Sequence, residues 1–375
     1  MPLTERQLNR ATLSRQLLLA RTDAPVGDAV RRVVALQAQE PGSPYIALWN
    51  RVVGFDPADL DAAFQEHEIV KATLMRVTLH AVHVDDYPTL HQGMQETLRA
   101  ARYNDRRFLD TGVTPQDADS LMPHLAEYLS EPRSKDEIEA VVGDRLSAPQ
   151  AASWVWWALR QVGSFWHAPS SDAWSFGPRP MYVSTRIRAS DGRDDAVQGL
   201  IRRYLSGFGP ASAQDIAQFA LLRQSTLQPA LREMGDLIEV DGPNGRVLMD
   251  VSDGSIPDED TPSPPRLMAM WDSTLLAYKD RSRIIPDRFR KMVIRRNGDV
   301  LPTVLVDGYV AGVWRPVDDG IEVTAFEPFD DETWEELTHE ASTLLRMLAE
   351  RDPKTYSRYG RWWADMPDGH ARILQ

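Results

Sequence analysis

The sequence predicts an α+β fold: three tandem units of helices followed by a hairpin, then a small C-terminal β-barrel or sheet with a terminal helix. Three observations predict it. Helical apolar periodicity gives way to strand alternation three times before residue 252. An acidic, Pro-rich stretch, SDGSIPDEDTPSPP (252–265), then interrupts the chain. Beyond it, β-rich runs continue up to a last amphipathic helix over 330–350.

The first unit spans 1–110. An amphipathic helix over 4–21 is opened by Thr4 and has Leu8, Ala11, Leu18 and Leu19 on one side. A second runs from Val26 towards Gln39, where Pro41 stops it and pushes Glu40 out of the helical region. A third, 57–67, is capped by Asp56. KATLMRVTLHAVHV (71–84) alternates like a strand, which puts Arg76, Thr78 and His80 on one face.

The second unit, 111–190, has a capping box of Ser134 and Glu137, a helix near 149–162, and a hairpin in GSFWHAPSSDAWSFG (163–177). The third, 191–251, has helices over 195–206, 209–222 and 225–235. Its hairpin, LIEVDGPNGRVLMDV (237–251), turns at Gly-Pro-Asn-Gly. Helix, helix, helix, hairpin is the winged-helix form of the helix-turn-helix, which lays its third helix in a groove of DNA. The linker 252–265 has no core-forming residue except Ile256 and reads as mobile. The last unit, 266–375, takes its strands from RLMAMW, MVIRR, LPTVLVDGYVAGVW and GIEVTAF. Turns fall at Asn297-Gly298 and Asp307-Gly308, and a helix packs through Trp334, Leu337, Leu344, Leu345 and Leu348.

The 375 residues include no cysteine, which excludes disulfides, thiol nucleophiles, iron–sulfur clusters and cysteine-ligated zinc. The longest apolar stretch at the start is Leu17–Ala20, too short for a signal peptide or membrane span, so a cytoplasmic protein is expected. A net charge of −13 argues, as an average, against nucleic acid. The average hides a block. Lys279, Arg281, Arg283, Arg288, Arg290, Lys291, Arg295 and Arg296 stand against only Asp280 and Asp287. Ile284, Ile285, Pro286 and Phe289 lie among them. Basic groups around an apolar tip suit an element that grips phosphates and wedges between bases. The alternatives are a solvated loop, or arginines neutralised by the acidic run 318–336.

The sequence has no Gly-rich phosphate loop, Gly-x-Ser-x-Gly or His-Glu-x-x-His. His80 and His83 have no acid at metal-ligand spacing, so no metal is expected. Trp154, Trp156 and Trp157 read as core. The segment VVALQAQEPGSPYIALWNR (33–51) places Gln37 and Gln39 two apart. In a helix they face opposite ways; in an extended stretch ahead of Pro41 they share a face. They then either cap a helix end or form a pair of neutral dipoles that binds water and faces developing positive charge.

The Gln-x-Gln of LQAQEPGSPYIALW, together with MRVTLHAVHVDDY (75–87), WDSTLLAYKDRSRII (271–285) and LPTVLVDGYVAGVWR (301–315), resembles one family over nearly the whole chain. This is the bacterial helix-turn-helix family of DNA glycosylases that includes the azinomycin-resistance glycosylase. A related branch carries an acid in place of the second glutamine; Gln39 places this chain nearer the self-resistance branch. The resemblance implies a C-shaped set of three winged helices with a β domain, closed around double-stranded DNA carrying alkylated purines or crosslinks. It implies a monofunctional glycosylase that removes purines alkylated at nitrogen 7, without cofactor or metal. Gln37 and Gln39 match its catalytic pair. Arg76, Thr78 and His80, on one strand face, either contact DNA in the same cleft or fill a satisfied structural role, and Lys279–Arg296, as a β-hairpin, is expected to enter a groove. A monomer with no obligatory protein partner, associated with the nucleoid, is expected. The competing reading is a tandem winged-helix regulator that binds an operator and leaves the DNA covalently intact.

Overall fold

The computed structural model describes residues 2–185, 192–366 and 370–375. Helix α1 (Glu5–Arg15) opens on a reciprocal capping box between Thr4 and Gln7. It ends before the expected residue 21, because Leu17 turns left-handed at φ 57°. α2 (Val26–Arg32) also ends early, and the chain extends through β1 (Leu36–Gln37). α3 (Ser43–Trp49) and α4 (Pro57–Gln65) follow, the latter capped by Asp56. The expected single strand over 71–84 is instead a hairpin of β2 (Ile69–Thr73) and β3 (Leu79–His83). Arg76 and Val77 reverse the chain at φ 54° and 57°. A left-handed β-branched residue is disfavoured, and no Gly or Asn marks the turn, so the sequence concealed it.

α5 (Tyr87–Tyr103), α6 (Arg106–Leu109) and α7 (Pro115–Ser120) are followed by α8 (Met122–Tyr128), β4 (Arg133–Ser134), α9 (Lys135–Leu146), α10 (Ala152–Val162), β5 (Phe165–Ala168) and β6 (Met181–Ser184). The Ser134–Glu137 capping box is present. The second hairpin strand is MYVS, not the AWSF run expected. Trp174 and Phe176 leave the hairpin to pack on Tyr45 and Phe64, with ring centroids 4.9 and 4.8 Å apart. Next come α11 (Arg193–Phe208), α12 (Ala213–Ala220), α13 (Gln224–Glu233), β7 (Leu237–Asp241) and β8 (Val247–Val251). The boundary drawn at 190/191 lies outside the described residues.

One pairing recurs three times along the chain. A short extended segment after a helix pairs with the second strand of the hairpin: β1 with β3, β4 with β6, and Ala211 with Met249. The first two hairpins fuse into one six-stranded sheet, ordered β1-β3-β2-β5-β6-β4 and joined at Lys71 and His167.

The C-terminal part comprises β9 (Arg266–Leu267), α14 (Ser273–Leu276), α15 (Arg290–Val293), β10 (Thr303–Val306), β11 (Tyr309–Val317), β12 (Gly320–Ala325), α16 (Asp331–Arg351) and β13 (Ala371–Leu374). Its strands form an open antiparallel sheet, β13-β12-β11-β10-β9, not a barrel. β9, of two residues, and β13 are its two unpaired edges. Asp307 and Gly308, at φ 49° and 80°, make the tight turn read from the sequence. MVIRR is not a strand: Met292 and Val293 end α15, and Ile294 makes one isolated bridge to Val300. In α16, Trp334, Leu337, Leu344 and Leu348 are buried, with Leu345 half-buried.

The stretch read as a mobile linker is anchored along its length. The acidic linker is strapped along α1: Arg6 Nε donates to Glu259 O at 2.9 Å, Arg10 Nε to Thr261 O at 2.7 Å, and Arg15 to Ser255 O at 3.2 Å. The cores also ignore sequence order. One core holds Leu36, Ile46 and Leu48 near the start of the chain together with Met268, Leu275 and Trp314 of the C-terminal part.

Candidate active site

Gln37 sits in β1 directly opposite His80 of β3. Its neighbours Leu36 and Ala38 point into the core, so alternation turns Gln37 to the other face. The strand is fixed from behind: Ser273 Oγ donates to Ala35 O at 3.2 Å, and Ala38 N donates to Leu79 O at 2.9 Å. Ser273 and Asp272 belong to the WDSTLL motif, and Asp272 accepts both terminal nitrogens of Arg51. That motif therefore docks the C-terminal part against the glutamine segment.

The chain is extended at Gln37, after α2 has ended at Arg32 and Val34 has turned left-handed at φ 74°, but it bends at Gln39, and the two glutamines differ in exposure. Gln37 keeps 5% of its surface, whereas Gln39 is exposed. Arg76 Nη2 donates to Gln37 Oε1 at 2.6 Å and lies 3.5 Å from His80 Nε2. His80 Nδ1 is 3.0 Å from Thr78 O. Burial, and then the charge of Arg76, push the His80 imidazole from 6.5 down to about 3, so it is neutral. Burial and then the nearby Arg281 lower the Arg76 guanidinium to about 10, still charged near neutrality. Arg76 also stacks on Phe219 of α12, 5.5 Å from the ring centroid. The left-handed backbone at Arg76 and Val77, a strain of about 1–3 kcal/mol each, turns this side chain back under β1.

Gln39 stands between two clefts. One, of about 520 Å³, is walled by Glu40, Trp174, Phe176, Tyr356 and Arg358. The other, of about 240 Å³, is walled by Arg102, Trp157, Arg160, His167 and Tyr182. The carboxylate of Glu40 is committed, accepting from Tyr359 Oη at 2.9 Å and pairing with Arg358. Sequence reasoning missed Arg102, Arg160 and Trp157. Of the three tryptophans read as core, only Trp156 is fully buried; Trp154 is 41% exposed. Trp154 and Trp157 share a face of α10, a spacing of three that signalled a common surface. Arg107 lies over both rings, and Arg102 over Trp157 at 4.4 Å.

The basic segment is not a hairpin. Asp280 caps a tight turn at 281–283, Pro286 starts another, and the short α15 follows. Its apolar residues do not form a tip, since Ile284 and Ile285 are buried in the main core. Arg283 is buried over Tyr278 and donates to Pro210 O at 3.0 Å. Arg295 donates to Trp362 O at 3.0 Å, and Lys279 donates to Gln214 at 2.9 Å. Arg288 pairs with Glu327 at 3.0 Å, which realises in part the neutralisation by the acidic run. Arg281 is half-buried. Arg290, Lys291 and Arg296 are exposed and make no ion pair with any described residue. His80 is completely buried, so it offers no surface to a duplex.

Among the described residues, no cluster of His, Asp and Glu is placed to hold a metal ion, and no helix is long and apolar enough to cross a membrane.

Residues 30–347 match the family described as DNA glycosylase AlkZ-like. The chain is 27% identical over 348 residues to the interstrand DNA cross-link repair glycosylase of Streptomyces sahachiroi, covering 86% of this chain and 90% of that one. The solved structure of Streptomyces sahachiroi DNA glycosylase AlkZ shares the fold, with a TM-score of 0.79 at 24% identity, over 93% of this chain and 98% of that chain. Gln37, Gln39, Arg76, His80 and the basic segment all lie within the matched span, and the chain belongs to the AlkZ-like DNA glycosylase family.

Proposed function

We propose that this protein is a monofunctional DNA glycosylase that hydrolyses the N-glycosidic bond of purines alkylated at ring nitrogen 7. Its substrates include bulky adducts and interstrand crosslinks of the azinomycin type, so that it protects its host from a DNA-alkylating antibiotic. One observation carries the reading: two glutamines two residues apart, one buried and charge-anchored at the end of β1, the next exposed between two clefts. A purine alkylated at nitrogen 7 is already cationic and leaves readily. The protein then has to hold water and set preorganised dipoles against an oxocarbenium-like sugar, which carboxamides can do without a strong acid. The cross-link repair named for the Streptomyces sahachiroi relative supports the substrate class.

The three repeats act as winged-helix units around double-stranded DNA, and their recurring extended segment paired with the hairpin supports that assignment. Arg290, Lys291 and Arg296, with Lys279, Arg281 and Arg288, supply phosphate contacts. Arg283, Arg295, Arg76 and His80 act from within, by shaping the surface. A crosslinked base cannot swing freely out of the stack, so the enzyme reaches the sugar from a groove without flipping it. It works as a cytoplasmic, nucleoid-associated monomer, with no cofactor, metal or obligatory protein partner.

The test is to incubate the purified chain with duplex carrying a single N7-methylguanine, then treat with alkali. Strand cleavage at the lesion is expected. Intact strands, with tight binding to one undamaged sequence, would instead make it a regulator.

A further inference from the structure

The chemistry of three side chains fixes every hydrogen-bond direction beneath Gln37. Thr78 O can only accept, so the proton on His80 is at Nδ1 and its Nε2 is a lone pair. That lone pair faces Arg76 Nη2 at 3.5 Å. A guanidinium can only donate, so the atom of the Gln37 amide that meets Nη2 at 2.6 Å must be the carbonyl oxygen. The amide is therefore not free to flip. Its Nε2 hydrogen-bonds to no described residue.

Two more observations show that this arrangement is imposed. The backbone holds Arg76 and Val77 left-handed to deliver the guanidinium here, with no glycine to ease it. Arg76 Nη1 is shut off from solvent and also lacks a hydrogen-bond partner among the described residues. No carboxylate among the described residues pairs with Arg76, so its charge falls on Gln37. A charge-assisted bond to the carbonyl polarises the amide and strengthens Nε2–H as a donor.

We propose that Arg76 and His80 are positioning residues that lock the Gln37 carboxamide with its oxygen turned into the protein and its NH2 group presented to the DNA. Gln37 then acts as a hydrogen-bond donor, towards an oxygen of the deoxyribose-phosphate or of the attacking water. It does not act as the acceptor that pulls a proton from that water. The proposal rests on the glycosylase reading and revises it for Gln37: with the Gln37 oxygen turned inward, the dipole that faces the developing positive charge is left to Gln39.

The deciding variant is Gln37→Glu. A carboxylate keeps the acceptor for Arg76 and the size of the side chain, but loses the donor. Single-turnover excision of N7-methylguanine from duplex should fall as far as in Gln37→Ala, while affinity for the lesion duplex and the unfolding midpoint hold. Excision within about threefold of the unsubstituted protein would overturn the proposal, because the oxygen would then be the working atom. Arg76→Met preserves the packing on Phe219 and should slow excision by roughly 10- to 100-fold with affinity unchanged. Arg76→Lys should recover only part of that loss. If Arg76→Met instead weakens binding in step with the rate, and Arg76→Lys restores both, Arg76 is a plain phosphate contact and the proposal fails. An isotope-labelled sample gives a readout independent of activity. The Gln37 side-chain amide signal should be shifted from solvent-exposed glutamines and should collapse towards them in Arg76→Met. That signal decides the locking even if the unsubstituted protein excises nothing, an outcome that would defeat the glycosylase reading alone.

Discussion

Arg51 lies buried against Asp272, its two terminal nitrogens 2.9 and 3.0 Å from the two carboxylate oxygens. The pair joins the end of α3 to the start of α14, 221 residues later. Removing one partner leaves the other charged and unpaired in the core. Arg51→Met should therefore cost about 3–5 kcal/mol, read as a fall in the urea midpoint. The double variant Arg51→Met, Asp272→Leu should recover much of that loss. Equal losses in the single and double variants would mean that packing, not the stranded charge, dominates.

Gln37→Ala and Gln39→Ala should bind lesion duplex normally and lose excision. The check is to measure affinity and single-turnover rate on the same duplex. A rate that falls only as far as affinity falls would assign the pair to the scaffold.

Arg290, Lys291 and Arg296 should contribute uniformly to binding any DNA. Replacing each by Gln should weaken binding irrespective of sequence and reduce the slope of log affinity against log salt by about 0.9 for each phosphate left unneutralised. Arg283→Gln should act on the unfolding midpoint instead, because Arg283 is buried against Tyr278.

The tryptophans of α10 should separate by exposure. Trp156→Ala should destabilise the fold by about 3–5 kcal/mol. Trp154→Ala should leave the unfolding midpoint within about 0.5 kcal/mol of the unsubstituted value. If Trp154→Ala also lowers affinity for DNA, the surface it shares with Trp157 and Arg107 is part of the interface.

Acid should destabilise the protein ahead of its carboxylates. Burial holds His80 at about 3 and His91 at about 4, and keeps His167 well below 6.5. Each folded value is depressed below the unfolded 6.5, so the unfolded chain binds more protons between the two. Stability is thus fully present above 6.5 and is lost as pH falls towards 3–4. Burial likewise depresses Lys71 from 10.5 to about 7, so stability also declines as pH falls across that range. Urea midpoints taken between about pH 8 and pH 4.5 should fall steadily, and His91→Gln should flatten the acid side of the profile.

Sequence alone determined the local chemistry. The Thr4, Asp56 and Ser134 caps, the Asp307-Gly308 turn and the apolar face of α16 follow from periodicity and from residues with strong backbone preferences. The extended state of Gln37 did not follow from Pro41, because α2 already ends at Arg32 and Val34 turns left-handed before it. Tertiary structure decided what those residues meet. The reversal at Arg76 and Val77 carries no turn residue and exists because packing on Phe219 and the bond to Gln37 hold it. Of the basic block, only a few cations stayed free, because buried arginines were taken up by carbonyls and aromatic rings near and far along the chain. A run of charge is visible in one dimension. Which charges face solvent depends on burial, and burial is set by packing that no local pattern encodes.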